Sequence, residues 1–271
     1  MRLRKMHLIL LFLLINTAQP FSFAGSQQTP AELTIGTHEL IPFAKKVEKY
    51  AASKGARVFI IARLGTPKSE LPENIEFTHV GIAVYSEIET RSGALLQGYA
   101  IHNLYQNPND LGVSHLITDY PLDFFMGAAE LKAGVIIPTR ALQKKLLESL
   151  ELGLNKQLHN PKYSVIANPY STKYQNCTEH ILDIIFSSIY GTDDLAQIKA
   201  NQHAYFKSQE IKVPPFKRML APMFSQEIST SDHSEEIKTT TFTTIVEFLH
   251  DYALAKSSVV IDKFEVRPFG S

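Results

Sequence analysis

A cysteine at the start of a predicted helix is the residue of this sequence best suited to nucleophilic chemistry. Cys177 is the only cysteine of the 271 residues and stands in the stretch KYQNCTEHILDIIF. The preceding Asn176 is a favourable N-cap, and apolar residues follow at helical spacing. The helix dipole and the unpaired backbone N–H groups there favour a thiolate and can bind an oxyanion. The alternative is an inert thiol, because free cysteines are often buried.

A nucleophilic cysteine needs a base, and the sequence offers His79 in the stretch FTHVGIAVY. Both faces of this predicted strand are largely apolar, so we expect it to be buried on both sides. A buried imidazole must find a hydrogen-bond partner. Gly81 and Ala83 are small and leave room for a helix that carries Cys177. The alternative is a structural histidine that hydrogen-bonds a backbone carbonyl.

The two motifs together resemble a known group of enzymes. FTHVGIAVYSE resembles the histidine motif of the papain-like NlpC-type hydrolases. YQNCTEHILDII resembles the cysteine motif of their circularly permuted branch, in which the histidine strand precedes the cysteine helix. Lecithin retinol acyltransferase shares this order, and NCTEH is similar to the motif of its group. Longer stretches, such as GARVFIIARLG and NPYSTKYQNCTEHILDI, resemble an exported bacterial family of unknown function.

The resemblance implies a fold and a set of site residues. The fold would be α+β and papain-like, with a central antiparallel sheet packed by helices. Cys177 would be the nucleophile, His79 the base, and a polar residue on the following strand would orient the imidazole. In GYAIHNLYQ we predict Asn103 for this third position, with His102 as the alternative. An asparagine oxygen can accept from an imidazole N–H and fix its tautomer, but a single sequence does not reveal strand register.

The implied substrates are amides, with cell-wall peptides (peptidoglycan) as one candidate, or other acyl compounds such as esters. The chemistry requires no cofactor. Cys177 and His180 stand at positions i and i+3, but no zinc-ligand spacing such as His-Glu-x-x-His occurs, so we predict no metal site. The Gly-x-Ser-x-Gly signature of serine hydrolases is also missing. The competing hypothesis is an inactive periplasmic binding module on the same fold, because a fold does not determine a function.

The N-terminal residues predict export. Residues 1–24 combine a basic start, the apolar run Leu8–Ile15 and small residues before Gly25, which is the pattern of a cleaved signal peptide. We therefore expect a periplasmic or secreted protein with no membrane span. An unpaired cysteine in such a protein suggests a reactive thiol or an intermolecular disulfide.

Charge and periodicity complete the picture. The chain has 27 basic and 27 acidic residues, and no clustered basic surface that would indicate nucleic-acid binding. We predict a flexible leader over residues 25–36 and a single domain over 37–271. Within that domain a helix precedes a three-stranded β-meander, and a mainly helical extension begins at about residue 192. A last strand is predicted in SSVVIDKFEV.

Overall fold

The computed structural model describes residues 35–72, 74–90, 92–212, 228–234 and 236–270. The predicted signal peptide and most of the predicted leader therefore lie outside the described residues. Within those ranges, no helix has the length and apolar character needed to cross a membrane.

Helices and strands are mixed along the chain, and a short 3-10 helix spans Lys68–Glu70. The helices are α1 (Thr37–Ser53), α2 (Pro121–Met126), α3 (Arg140–Glu151), α4 (Leu154–Gln157), α5 (Cys177–Tyr190), α6 (Leu195–Tyr205) and α7 (Phe242–Asp251). The strands are β1 (Val58–Arg63), β2 (His79–Glu89), β3 (Leu95–Asn107), β4 (Asp110–Asp119), β5 (Lys132–Pro138), β6 (Gln209–Glu210), β7 (Lys238–Thr239), β8 (Ala255–Asp262) and β9 (Val266–Pro268).

A seven-stranded sheet forms the centre of the described structure, in the order β4-β3-β2-β1-β5-β8-β9. All its neighbouring strands run antiparallel. Strands β1, β2 and β3 are neighbours in chain order, as the predicted meander requires. β6 and β7 form a separate two-stranded pair.

Alternate residues of each strand face two different layers of helices, because side chains alternate across a sheet. On one face, which we call the α5 face, Ile60 and Ile82 share a buried core with α3, α5, α6 and α7. On the other, the α1 face, Phe59 and Ile101 share a core with α1 and α2. The prediction of a mixed protein with a large antiparallel sheet packed by helices is thus confirmed.

The C-terminal segment is tied to the same sheet. The region from about residue 192, predicted as a mainly helical extension, contains α6 and α7 as described. It also contributes β8, which pairs with β5 along its whole length, and β9 at the sheet edge. β8, which follows Cys177 in the sequence, is therefore joined to the strands that precede Cys177 through its pairing with β5.

Candidate active site

Cys177 is the first residue of α5, as the sequence predicts. The Asn176 side chain caps this helix by accepting from the Glu179 backbone N–H at 2.9 Å, and Gly191 ends it in a left-handed conformation with φ 66°. The Cys177 side chain is only 2% exposed and packs against Leu104 on the α5 face. The local sequence thus fixes the thiol at a capped helix N-terminus inside the protein.

The predicted base begins β2, and its ring contacts the predicted third residue. His79 is fully buried, and its Nε2 lies 3.1 Å from Oδ1 of Asn103 on β3. Gly81 makes this contact possible, because a Cβ at that position would stand 2.6 Å from the same Oδ1. The structure therefore brings His79 and Asn103 together. The alternative, His102, pairs with Ile82 of β2 and lies on the other face of the sheet.

The orientation of the Asn103 amide follows from its other contacts. Its Nδ2 donates to the Ile101 carbonyl at 2.9 Å and to Oδ2 of Asp119 at 3.3 Å. The remaining amide atom that faces His79 is an oxygen, which can only accept. The proton in the contact must therefore belong to His79 Nε2, and the lone pair of a neutral ring lies on Nδ1. Nδ1 is buried and has no hydrogen-bond partner among the described residues.

Three further buried polar residues surround His79 and were not predicted from the sequence. The Tyr105 ring stacks on the imidazole at 4.5 Å between centroids, and its hydroxyl donates to Asp119 Oδ2 at 2.5 Å. The Arg63 guanidinium donates to the Tyr105 hydroxyl and lies 5.5 Å from the ring of Phe124 on α2. Gly127 gives it space, because a Cβ there would overlap the guanidinium.

The electrostatics of this cluster keep the imidazole neutral. Burial lowers the pKa of His79 well below its ordinary value, the nearby Arg63 charge lowers it further, and the Asn103 hydrogen bond only partly opposes them. Burial likewise raises the pKa of Tyr105 well above its ordinary value, so its hydroxyl stays protonated. The His79 ring is therefore neutral at neutral pH, and its proton affinity is lower than that of an ordinary imidazole.

The Cys177 sulfur lies beside the start of β2, but the His79 ring lies on the other face of the sheet, the face that Gly81 and Ala83 share, so the prediction that these two small residues make room for α5 is wrong. The sulfur is 3.8 Å from the carbonyl oxygen of Thr78, the residue directly before His79, and 3.7 Å from Oγ1 of Thr178. The His79 ring points to the α1 face, where it lies 5.5 Å from the Phe124 ring. Since Nδ1 has no partner and Nε2 contacts Asn103, no hydrogen bond joins the imidazole to the sulfur in this structure.

A metal site does not emerge from the described residues, which contain no group of three or more histidine, cysteine or acidic side chains arranged to hold an ion. His180, one turn after Cys177, faces His159 with 6.1 Å between ring centroids. Burial, with smaller contributions from His159, Lys199 and His102, lowers the pKa of His180 to about 3. This ring is a neutral, buried neighbour of the site.

The sequence comparisons place the chain among bacterial proteins of unknown activity. The model of DUF2145, a family described as uncharacterized proteins conserved in bacteria, matches residues 50–249. The chain belongs to the DUF2145 family. The matched range covers every element from β1 to β7 and most of α7, and it includes all the residues of the candidate site of this DUF2145 protein. No curated protein and no solved structure matches it.

Proposed function

We propose that this DUF2145 protein is an exported thiol hydrolase or acyltransferase of papain-like design, in permuted order. Cys177 is its nucleophile, His79 its base and Asn103 the residue that orients the base. The observation that carries the proposal is the His79–Asn103 contact at 3.1 Å, which leaves Nδ1 of a neutral imidazole as the acceptor. Nδ1 belongs to the first residue of β2, and the carbonyl oxygen of the residue before it, Thr78, contacts the Cys177 sulfur.

The reaction follows from these groups. His79 Nδ1 takes the thiol proton as the sulfur bonds to a substrate carbonyl carbon, and the carbonyl electrons move onto oxygen. Backbone N–H groups at the start of α5 bind that oxyanion in the proposed reaction. The oxyanion then reforms the carbonyl, and the leaving amine or alkoxide departs with the proton from His79. Water, or an acceptor amine or alcohol, attacks the resulting thioester by the same steps and frees Cys177.

The buried state of the site sets a condition on this chemistry. Cys177 is 2% exposed, His79 is fully buried, and the two are not hydrogen-bonded to each other. The sulfur and the imidazole also lie on different faces of the sheet, so a substrate can react only after the start of α5 moves to the Nδ1 side of the ring, which Asn103 holds in place. Amides, including cell-wall peptides, are the proposed substrates, and esters use the same steps.

A mass-spectrometric assay tests the proposal. The mature protein would be incubated with a panel of acyl donors that includes peptidoglycan fragments, and the mass of the Cys177 peptide would be measured. We expect an acyl adduct on Cys177, no turnover by Cys177→Ala, and turnover reduced by roughly 10²- to 10⁴-fold in His79→Ala, the range of a lost general base. His250→Ala is the matched control, since its ring bonds Ser258 at 3.0 Å, on β8. Undiminished turnover by Cys177→Ala would contradict the proposal.

A second function, an inactive binding module, is favoured by the burial of the thiol and by the missing sulfur–imidazole hydrogen bond. The two functions differ in thiol reactivity. In the native enzyme, iodoacetamide should modify Cys177 faster than it does in His79→Ala. In a binding module the thiol would react only after unfolding in denaturant, at the same rate with or without His79.

Export is part of the proposed function, and the observation that motivates it is the three-part pattern of residues 1–24. Expression of the full chain in a bacterium, followed by fractionation and intact-mass measurement, should give a periplasmic or secreted protein that begins at Gly25. A protein that keeps Met1–Ala24 after fractionation would refute this part.

A further inference from the structure

The strand β4 ends in a buried carboxylate that contacts two neighbours of His79. We propose that Asp119 is a positioning residue of the site: it holds the Asn103 amide in the one orientation that keeps the lone pair of His79 on Nδ1. Asp119 is 2% exposed, and its Oδ2 accepts both from Asn103 Nδ2 at 3.3 Å and from the Tyr105 hydroxyl at 2.5 Å. The inference rests on the proposed function, because it concerns the base of that reaction.

The first step concerns the two possible orientations of the Asn103 side chain. In the observed orientation the NH2 group donates to a carbonyl and to the Asp119 carboxylate, and the oxygen faces His79. Rotation of the amide by 180° would place its oxygen against two acceptors, the Ile101 carbonyl oxygen and Oδ2 of Asp119. A buried acceptor that faces another acceptor loses its hydrogen bond and is destabilising. A carboxylate at position 119 therefore disfavours the rotated amide, and a neutral amide there would not.

The second step connects the amide to the chemistry. With the oxygen of Asn103 at Nε2, the imidazole carries its proton on Nε2 and offers Nδ1 as the base. With the NH2 group at Nε2, the ring would have to accept there, and its proton would move to Nδ1. That tautomer presents an N–H where the reaction requires a lone pair, and it cannot take the thiol proton at that atom. Asp119 thus acts on the base without touching substrate.

The third step concerns the carboxylate itself, which needs compensation in a buried position. The Tyr105 hydroxyl donates to it, and the Arg63 guanidinium donates to the same hydroxyl. Tyr105 also stacks on the His79 ring, with 11° between the two planes. The chain from Arg63 through Tyr105 and Asp119 to Asn103 therefore encloses His79 on its edge and on one face.

The test is the tautomer of His79, which a merely structural carboxylate would not control. Long-range ¹H–¹⁵N spectra of the mature protein report which ring nitrogen carries the proton, and His79→Gln assigns the signals. Wild type should show the Nε2–H form. Asp119→Asn removes the carboxylate's share of the penalty on the rotated amide, while the Ile101 carbonyl keeps its share. This variant should therefore show a larger Nδ1–H fraction than wild type and acylate Cys177 roughly 10- to 100-fold more slowly, as altered supporting residues of a site commonly do. Ser114→Ala, on the same strand and hydrogen-bonded to His159, is the matched control and should keep the wild-type tautomer.

A swapped pair makes the test independent of the stability of the single variant. Asn103→Asp combined with Asp119→Asn keeps an acceptor at His79 Nε2 and a donor between the two strands, so the Nε2–H form should return even though the Ile101 carbonyl loses its donor. An unchanged tautomer in Asp119→Asn, or an Nδ1–H form in the swapped pair, would overturn the inference. If instead the tautomers behave as expected but Cys177 is never acylated, the positioning role stands and the proposed function fails.

Discussion

At the scale of single residues, the site depends on an absent side chain as much as on the polar groups. Gly81 stands beside His79 on β2, and a Cβ there would meet Asn103 Oδ1 at 2.6 Å and Ile101 Cγ2 at 2.9 Å. Protein atoms not bonded to each other do not approach this closely without displacement. The glycine is therefore what allows the Asn103 side chain to reach the imidazole.

This requirement predicts the effect of Gly81→Ala. We expect the free energy of unfolding to fall by about 1–3 kcal/mol, the usual cost of overpacking a core, and the His79–Asn103 hydrogen bond to lengthen or break. Urea unfolding measures the first effect, and the His79 ¹⁵N shifts measure the second. Gly112→Ala on β4 is the control, since the nearest atom to its new Cβ would be 3.5 Å away. Equal stability of the two variants would show that Asn103 is not held against Gly81.

At the scale of secondary-structure elements, the parts of the site with strong local signals could be predicted. α5 begins and ends where Asn176 and Gly191 indicate, because cap residues act on their own helix. β2 was predicted as a strand buried on both faces, and its first six residues are buried. The polar partner expected for His79 exists and is Asn103.

The remaining residues of the site could not be predicted because they depend on pairing between strands. The region of β4 begins with the turn residues Asn107–Asp110, whose types favour a loop, yet β4 runs for ten residues. As the edge strand of the sheet it is mostly half-exposed, so its apolar pattern is weak. Asp119 ends this strand and was missed with it. The face to which His79 points also follows from register, which composition does not encode.

At the scale of the whole molecule, a buried charge cluster joins the helix of Cys177 to α6. Lys199 on α6 donates to Glu179 Oε1 and to Asp183 Oδ1 on α5, both at 2.7 Å. Gln202 also donates to Asp183 Oδ1 at 2.7 Å. Although burial lowers it, the two carboxylates raise the pKa of Lys199 above its ordinary value, so one cation faces two acids. The cluster holds two acidic residues and one lysine, so its single positive charge balances only one carboxylate.

Glu179 is the acid that takes up the excess proton. Burial raises its pKa to about 8, Lys199 opposes this and the charge of Asp183 adds to it. Its second oxygen, Oε2, is buried and has no hydrogen-bond partner among the described residues. The folded pKa of Glu179 lies above the ordinary value of 4.5. At any pH between 4.5 and about 8, the folded protein therefore keeps a proton on Glu179 that the unfolded chain has lost. The stability that Glu179 contributes is thus fully present below pH 4.5 and is lost as the pH rises to about 8.

Replacing Glu179 with glutamine, a neutral side chain of the same shape, should remove this pH dependence. The melting temperature of Glu179→Gln minus that of wild type should be more positive at pH 8.5 than at pH 5. The difference should amount to several degrees, because about 1 kcal/mol shifts the midpoint of a domain of this size by roughly 2–4 °C. Glu148→Gln is the control. Glu148 is an exposed residue on α3, and its Oε1 forms a long ion pair, 3.7 Å, with Lys144 Nζ. Its difference from wild type should be the same at both pH values. If Glu179→Gln instead becomes relatively less stable at pH 8.5, Glu179 is a carboxylate that Lys199 needs, and the excess proton resides elsewhere in the cluster.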